Sequence, residues 1–363
     1  MMALLYRVLR AQPHEAPALA WSFAYFFLVL CSYYLLRPVR DTVAVALGRE
    51  ELQLLFTVTF AAMLVLVPLF GWLCARLPRA KLLPAVYAFF ALNLLLFSFS
   101  LTPTVFFVWL SVFNLFVVSV FWSFMSDVFE TAQAARLYGA IAAGGSCGAI
   151  AGPAVAFAFS EILGHSGLIL LSALLLVLAI GCIAMLARWA KAHPRRGEAP
   201  PEQPMGGSIV AGVRAALSSP FLLAICGYLF CYTALSTALY FQQVEIVREA
   251  IPDPQEQTRF FARIDLLVNS LTLLVQLLAF SRLAALIGVT GLLVAMPLVS
   301  IAGFLWIGAT PTLAALVVFG VTRRVGEFAI SKPAREALFT VVPREERYKA
   351  KNFIDTVVYR GGD

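Results

Sequence analysis

Charged side chains are scarce in this sequence: Asp, Glu, Lys and Arg make up 13% of its 363 residues, against about 25% in soluble domains. Apolar residues reach 61%, where about 45 to 50% is usual. That imbalance excludes a soluble globular domain and predicts an all-α, polytopic membrane protein. Histidine is nearly absent too. The three present, His14, His165 and His193, fall in the leader or in loops, and no H-E-x-x-H or cysteine–histidine set offers metal-ligand spacing. No metal, cofactor or catalytic residue is therefore expected. A nucleophile elbow is lacking, and without G-x-x-x-x-G-K-[ST] there is no pump driven by ATP hydrolysis. The six cysteines (Cys31, Cys74, Cys147, Cys182, Cys226, Cys231) are scattered through apolar runs with no C-x-x-C pair, so they read as small buried hydrophobes. The leader carries Arg7, Arg10, Pro13, His14, Glu15 and Pro17, and no small-residue cleavage site follows, so the first apolar run is expected to remain as the first span.

What the sequence has in quantity is runs of about 20 apolar residues. They lie at roughly 18–40, 52–75, 82–101, 104–128, 137–160, 166–189, 220–245, 263–281, 287–308 and 312–334, and predict ten complete transmembrane helices. The turns at 101–104, 163–167 and 309–312 are almost free of Lys and Arg. The opposite connections hold Arg76, Arg79 and Lys81, then Arg188, Lys191, Arg195 and Arg196, then Lys332, Arg335, Arg344, Arg347, Lys349 and Lys351. By the positive-inside rule these connections and the amino terminus face the cytoplasm. They also account for most of the formal net charge of +7, which is therefore no sign of a nucleic-acid partner. One stretch, 191–207, is rich in Pro, Gly and charge and reads as a linker. It divides the chain into a six-helix bundle (1–190), a cytoplasmic linker (191–218) and a second bundle (219–363). Six helices, a linker and a second set resemble the major facilitator layout, whose halves are parallel repeats. The second set is expected to be incomplete, since 352–363 reads as the first turns of an eleventh helix.

Charges inside the apolar runs are the candidate site. Arg323, Arg324 and Glu327 should sit about halfway through the membrane, where each costs roughly 2.5 to 3.5 kcal/mol. Their spacings of three and four put them on one helical face, where they can partly pair and leave one positive charge over. Arginine presents a planar fork of donors that matches phosphate or carboxylate oxygens, so an anionic small molecule is the expected partner. In the first span Tyr33, Arg37, Arg40 and Asp41 fall near one face, beside Pro38, and read as lining a cavity, with snorkelling to the interface the alternative for Arg40. Asp265 is expected to reach the same cavity. Asp127, Glu130 and Arg136 read either as an inner gate or as a solvated helix end.

Two short motifs point the same way. The loop Gly71-Trp-Leu-Cys-Ala-Arg76-Leu-Pro-Arg79-Ala-Lys81 resembles the major facilitator signature G-x-x-x-D-R-x-G-R-R, with Ala75 and Pro78 as departures. Gly139, Gly148, Gly152 and Pro153 match the spacing of that superfamily's antiporter motif, or else are ordinary small-residue packing. At Tyr33-x-x-x-Arg37-x-x-Arg40-Asp41, Phe328-x-x-x-Lys332-x-x-Arg335-Glu336 and Lys351-x-x-x-Asp355-x-x-x-x-Arg360 the chain resembles the ATP/ADP translocases, exchangers of plastids and intracellular bacteria. The resemblance implies a nucleotide exchanger of the bacterial inner membrane, acting as a monomer, with those residues as its polar positions. Arg40 stands where the family usually has lysine, Gln133 where it has an acid, and Gly362-Asp363 where a lysine is expected. A different organic anion therefore stays open as cargo. The alternative of another class is a truncated, non-transporting membrane scaffold or assembly protein.

Overall fold

Backbone N–H and C=O groups cannot be left unpaired in lipid, so an apolar chain without closed strands must satisfy them within helices. The structure is a computed structural model that describes residues 12–76, 79–193, 219–338, 354 and 358, without the side chains of 70–81 and 336 among others. The regular elements among these are helical. A 3-10 turn, Pro13–Glu15, leads into α1, Ala16–Leu47. Then come α2, Arg49–Arg76, α3, Arg79–Phe99, α4, Pro103–Val128, and α5, Thr131–Ala192. Beyond the expected linker, whose residues 194–218 lie outside the described ones, follow α6, Pro220–Ala250, α7, Pro254–Leu278, and α8, Phe280–Ala309. The last rod, α9, runs Leu313–Gly326, continues through a π turn, Glu327–Ser331, and ends as Lys332–Leu338.

Starts are written in the sequence. Thr102-Pro103 and Ser219-Pro220 place a proline at the first helical positions, where its missing N–H costs nothing. The Ser219 and Thr312 hydroxyls accept from the Leu222 and Ala315 amides and cap α6 and α9.

The described residues carry nine such helices rather than the ten separate ones expected. The difference is α5, which takes in both the fifth and the sixth expected spans. Its one non-helical residue is Gly164, at φ 62° and ψ −176°, a conformation that suits glycine. The expected five-residue turn is thus compressed into a single position. Both arms lie along α1: Gly148 abuts the backbone at Phe27 and Cys31, while Ser172 exchanges hydrogen bonds with Ser32 and Trp189 donates to the His14 carbonyl. The chain therefore doubles back at Gly164. Seven stretches among the described residues are long and apolar enough to cross a membrane.

The chain groups into two units, each discontinuous in sequence. The first comprises Met1–Leu47, Val65–Ala199 and Pro252–Leu266, and the second Gly48–Leu64, Pro200–Ile251 and Leu267–Asp363. The first unit is packed on aromatic rings. Fully buried Tyr25 sets its ring edge-on to Tyr87 and Phe121 and donates its hydroxyl to Tyr87 at 2.7 Å, which donates in turn to the Val117 carbonyl. Such pairs satisfy the phenols inside an apolar core. In the second unit Leu222, Ile225 and Leu229 of α6 pack with Ile354, Leu338 and Val358. Large apolar side chains also face outward, Phe99 at 88% exposure and Leu305 at 70%. On a membrane protein that surface meets acyl chains.

Candidate functional site

In the first unit the polar residues of α1 gather around Pro38, which supplies no backbone N–H to the helix. Thr42 donates to the Pro38 carbonyl and shares a 2.8 Å contact with Thr258. One turn earlier Arg37 lies 3.4 Å from Asp265, whose side chain is 1% exposed, with its guanidinium carbon 5.9 Å from the Tyr34 ring centre. Arg40 sends two nitrogens to Asp41 Oδ1, at 3.2 and 2.9 Å, and covers the Phe107 ring. Tyr33 is buried edge-on to Tyr34. Tyr33, Arg37, Arg40 and Asp41 are thus neighbours on α1, yet Arg37 and Arg40 point to different carboxylates. Counted together, two arginines face two aspartates, and the cluster is neutral.

Of the expected gate, Arg136 makes a two-pronged pair with Glu15, at 2.8 and 3.1 Å. Glu15 is 1% exposed and also accepts from Gln133 and from the Gln12 amide. Glu130 serves as the N-cap of α5, its amide bonded to Gln133. Asp127 is half-buried at the end of α4. Glu15 was legible only as part of a polar leader, because its partner lies more than a hundred residues away.

The second unit holds the charges of α9. Arg323 is 2% exposed, and its nitrogens donate to Ser236 Oγ and the Tyr232 carbonyl, both at 2.8 Å, with the guanidinium 4.5 Å over the Tyr232 ring. Its Nε is buried without a hydrogen-bond partner among the described residues. Glu327, 3% exposed, accepts from Arg335 at 3.1 Å rather than from Arg323 or Arg324. The pairing expected inside the Arg323–Arg324–Glu327 trio is therefore replaced by one eight residues along. Its cause is the π turn. Eight α-helical residues rotate about 800°, which leaves Arg335 about 80° off the face of Glu327, and one residue absorbed in a wider turn cuts this to about 20°. Arg335 is 5% exposed, Arg324 half-buried, and Lys332 exposed. The buried set of Arg323, Arg335 and Glu327 keeps one positive charge. Glu336, Lys351, Asp355 and Arg360, like the loop motif at 71–81, lie outside what is described of side chains.

Sequence reading missed Ser236 and Tyr232. They sit four apart on one face of α6, but hydroxyl residues are common in apolar helices, and only the arginine opposite marks them out. It also passed over Gly144-Gly145-Ser146-Cys147-Gly148, which has the spacing of a nucleophile elbow. That run lies inside α5 with no strand before it, so it lacks the strand-to-helix turn the elbow requires.

The family model described as Major Facilitator Superfamily matches residues 22–331. The chain belongs to the Major Facilitator Superfamily. Solved structures of several such transporters share its fold. A bacterial homolog of the human lysosomal transporter Spinster, inward-facing and unoccupied, is 16% identical, with 97% of this chain and 81% of that one covered and a TM-score of 0.61. A bacterial homologue of the iron transporter ferroportin is 10% identical over 97% and 90%, with a TM-score of 0.64. An auto-inhibited POT family peptide transporter is 15% identical over 95% and 86%, with a TM-score of 0.62. No curated protein matches the chain. This Major Facilitator Superfamily protein is a multi-pass secondary transporter embedded in the lipid bilayer, not an enzyme.

Proposed function

We propose that the protein exchanges organic anions across the bacterial inner membrane by alternating access, with phosphorylated solutes of the nucleotide class as the first candidates. The observation that carries this reading is Arg323, a guanidinium of α9 that is 2% exposed and whose polar contacts among the described residues are neutral oxygens. A buried cation without a counter-ion is expensive, and an incoming anion is the natural partner. The proposed substrate-binding residues are Arg37, Arg40, Asp41 and Tyr33 in the first unit and, beside Arg323, Arg324, Glu327, Lys332 and Arg335 in the second. Asp127, Glu130 and Arg136 act at the inner gate. The nucleotide cargo is supported by the sequence blocks shared with ATP/ADP translocases around Arg37, Arg40, Lys332 and Arg335. On this reading the amino terminus is cytoplasmic, the bundles are 1–190 and 219–363 about the linker, and the monomer is the working unit.

The test is uptake by the purified full chain in liposomes loaded with unlabelled ATP, inorganic phosphate or a dicarboxylate. Labelled ATP outside should enter faster when ATP is inside than when the lumen is empty. Exchange of dicarboxylate alone would reassign the cargo, and failure of every anion to exchange would overturn the reading.

A further inference from the structure

Glu327 is a buried carboxylate that anion binding alone does not require. One oxygen, Oε1, accepts from Arg335, while Oε2 is buried with no hydrogen-bond partner among the described residues. It opens the π turn, an irregularity that places both its partner and its own side chain. Among the described residues, the cations whose fields reach it belong to its own rod: Arg335, Arg323 and exposed Lys332. From α6 the half-buried Tyr228 faces it, with its hydroxyl near Ser331 Oγ and the Leu293 carbonyl, and Tyr232 lies beside Arg323. From α8 the neighbour is Met296, against Gly326, and from α7 Gln276, bonded to the Phe328 carbonyl. No second carboxylate is among these groups.

We infer that Glu327 is the proton-coupling site of the transporter, an internal counter-ion that competes with the substrate anion for Arg335. The inference rests on the anion-carrier reading above. A proton arriving from water on one side binds the free Oε2, the charge-assisted bond to Arg335 is lost, and both buried arginines become available to the anion. The net charge of the buried set rises from one positive to two. When the anion leaves, Arg335 returns to the carboxylate and the proton departs to the other side. A carboxylate inside a membrane is costly unless paired or used, and an ion pair with one bare oxygen is well suited to this exchange. Where one proton is linked to one anion, apparent affinity should change by about tenfold per pH unit across the titration of Glu327 and rise toward acid.

Two measurements test this. In proteoliposomes, an inward proton gradient is expected to raise the initial uptake of labelled ATP several-fold, or of the dicarboxylate if that is the anion exchanged. Glu327→Gln should show no difference with and without the gradient, and Glu327→Asp should keep the stimulation. Gradient stimulation persisting in Glu327→Gln, or absent from a transporting wild type, overturns the inference. The second measurement needs no substrate. Infrared pH-difference spectra of the wild-type chain in lipid should show a protonated-carboxyl band that Glu327→Gln lacks and Arg335→Gln shifts. A band unchanged in Glu327→Gln also overturns the inference. If no anion is transported the carrier reading fails on its own, and the infrared band still decides for or against Glu327 as a proton site.

Discussion

A guanidinium that finds, among the described residues, a serine hydroxyl, a backbone carbonyl and a tyrosine face, but no hydrogen-bonded carboxylate, is held in place without a direct ion pair. That is the state of Arg323. Arg323→Gln is expected to abolish anion uptake while leaving membrane insertion normal, checked by transport and by the amount of protein in the membrane fraction. Arg323→Lys should not rescue it, because an ammonium on a flexible stem cannot hold both oxygens in one planar fork. Arg335 differs, since it compensates Glu327 directly. Arg335→Ala should leave that carboxylate uncompensated and destabilise the protein by about 3 to 5 kcal/mol. Thermal unfolding in detergent should show the loss, and Arg335→Ala combined with Glu327→Ala should recover much of it.

Two helices show how local sequence sets the packing of a whole element. The π turn at Glu327–Ser331 rotates the end of α9 so that Arg335 meets Glu327. Deleting Ala329 should restore the α-helical period, separate the pair and abolish transport, with infrared spectra reporting the altered carboxylate. In α5, Gly148 lies against the backbone of α1, so Gly148→Leu should force the two helices apart and lower thermal stability more than Gly181→Leu, which faces open space. The contrast between these elements shows what a sequence discloses. The apolar runs, the proline starts and the intramembrane charges were legible because length, capping and insertion cost act on neighbouring residues. The partners of those charges were not: Arg37 to Asp265, Arg136 to Glu15 and Arg323 to Ser236 all span more than eighty residues. The trio's internal pairing was misjudged because an α-helical period was assumed across a π turn. The fifth and sixth spans follow one another without the expected loop because Gly164 alone turns the chain.

At the scale of the whole molecule, the first unit's cluster of Arg37, Arg40, Asp41 and Asp265 is neutral, while the second unit's buried set of Arg323, Arg335 and Glu327 is not. A carrier of the Major Facilitator Superfamily with one surplus positive charge among its described buried groups reorganises less readily empty than loaded, because an anion removes the cost of moving that charge through low dielectric. Exchange is the expected mode of transport. Counterflow tests this most directly: labelled ATP presented outside proteoliposomes with and without unlabelled ATP inside, for the wild type and for Arg323→Gln. Internal anion should accelerate entry severalfold in the wild type and have no effect on a silent Arg323→Gln. Uptake by Arg323→Gln at the wild-type rate would contradict the central claim and leave this arginine a purely structural role.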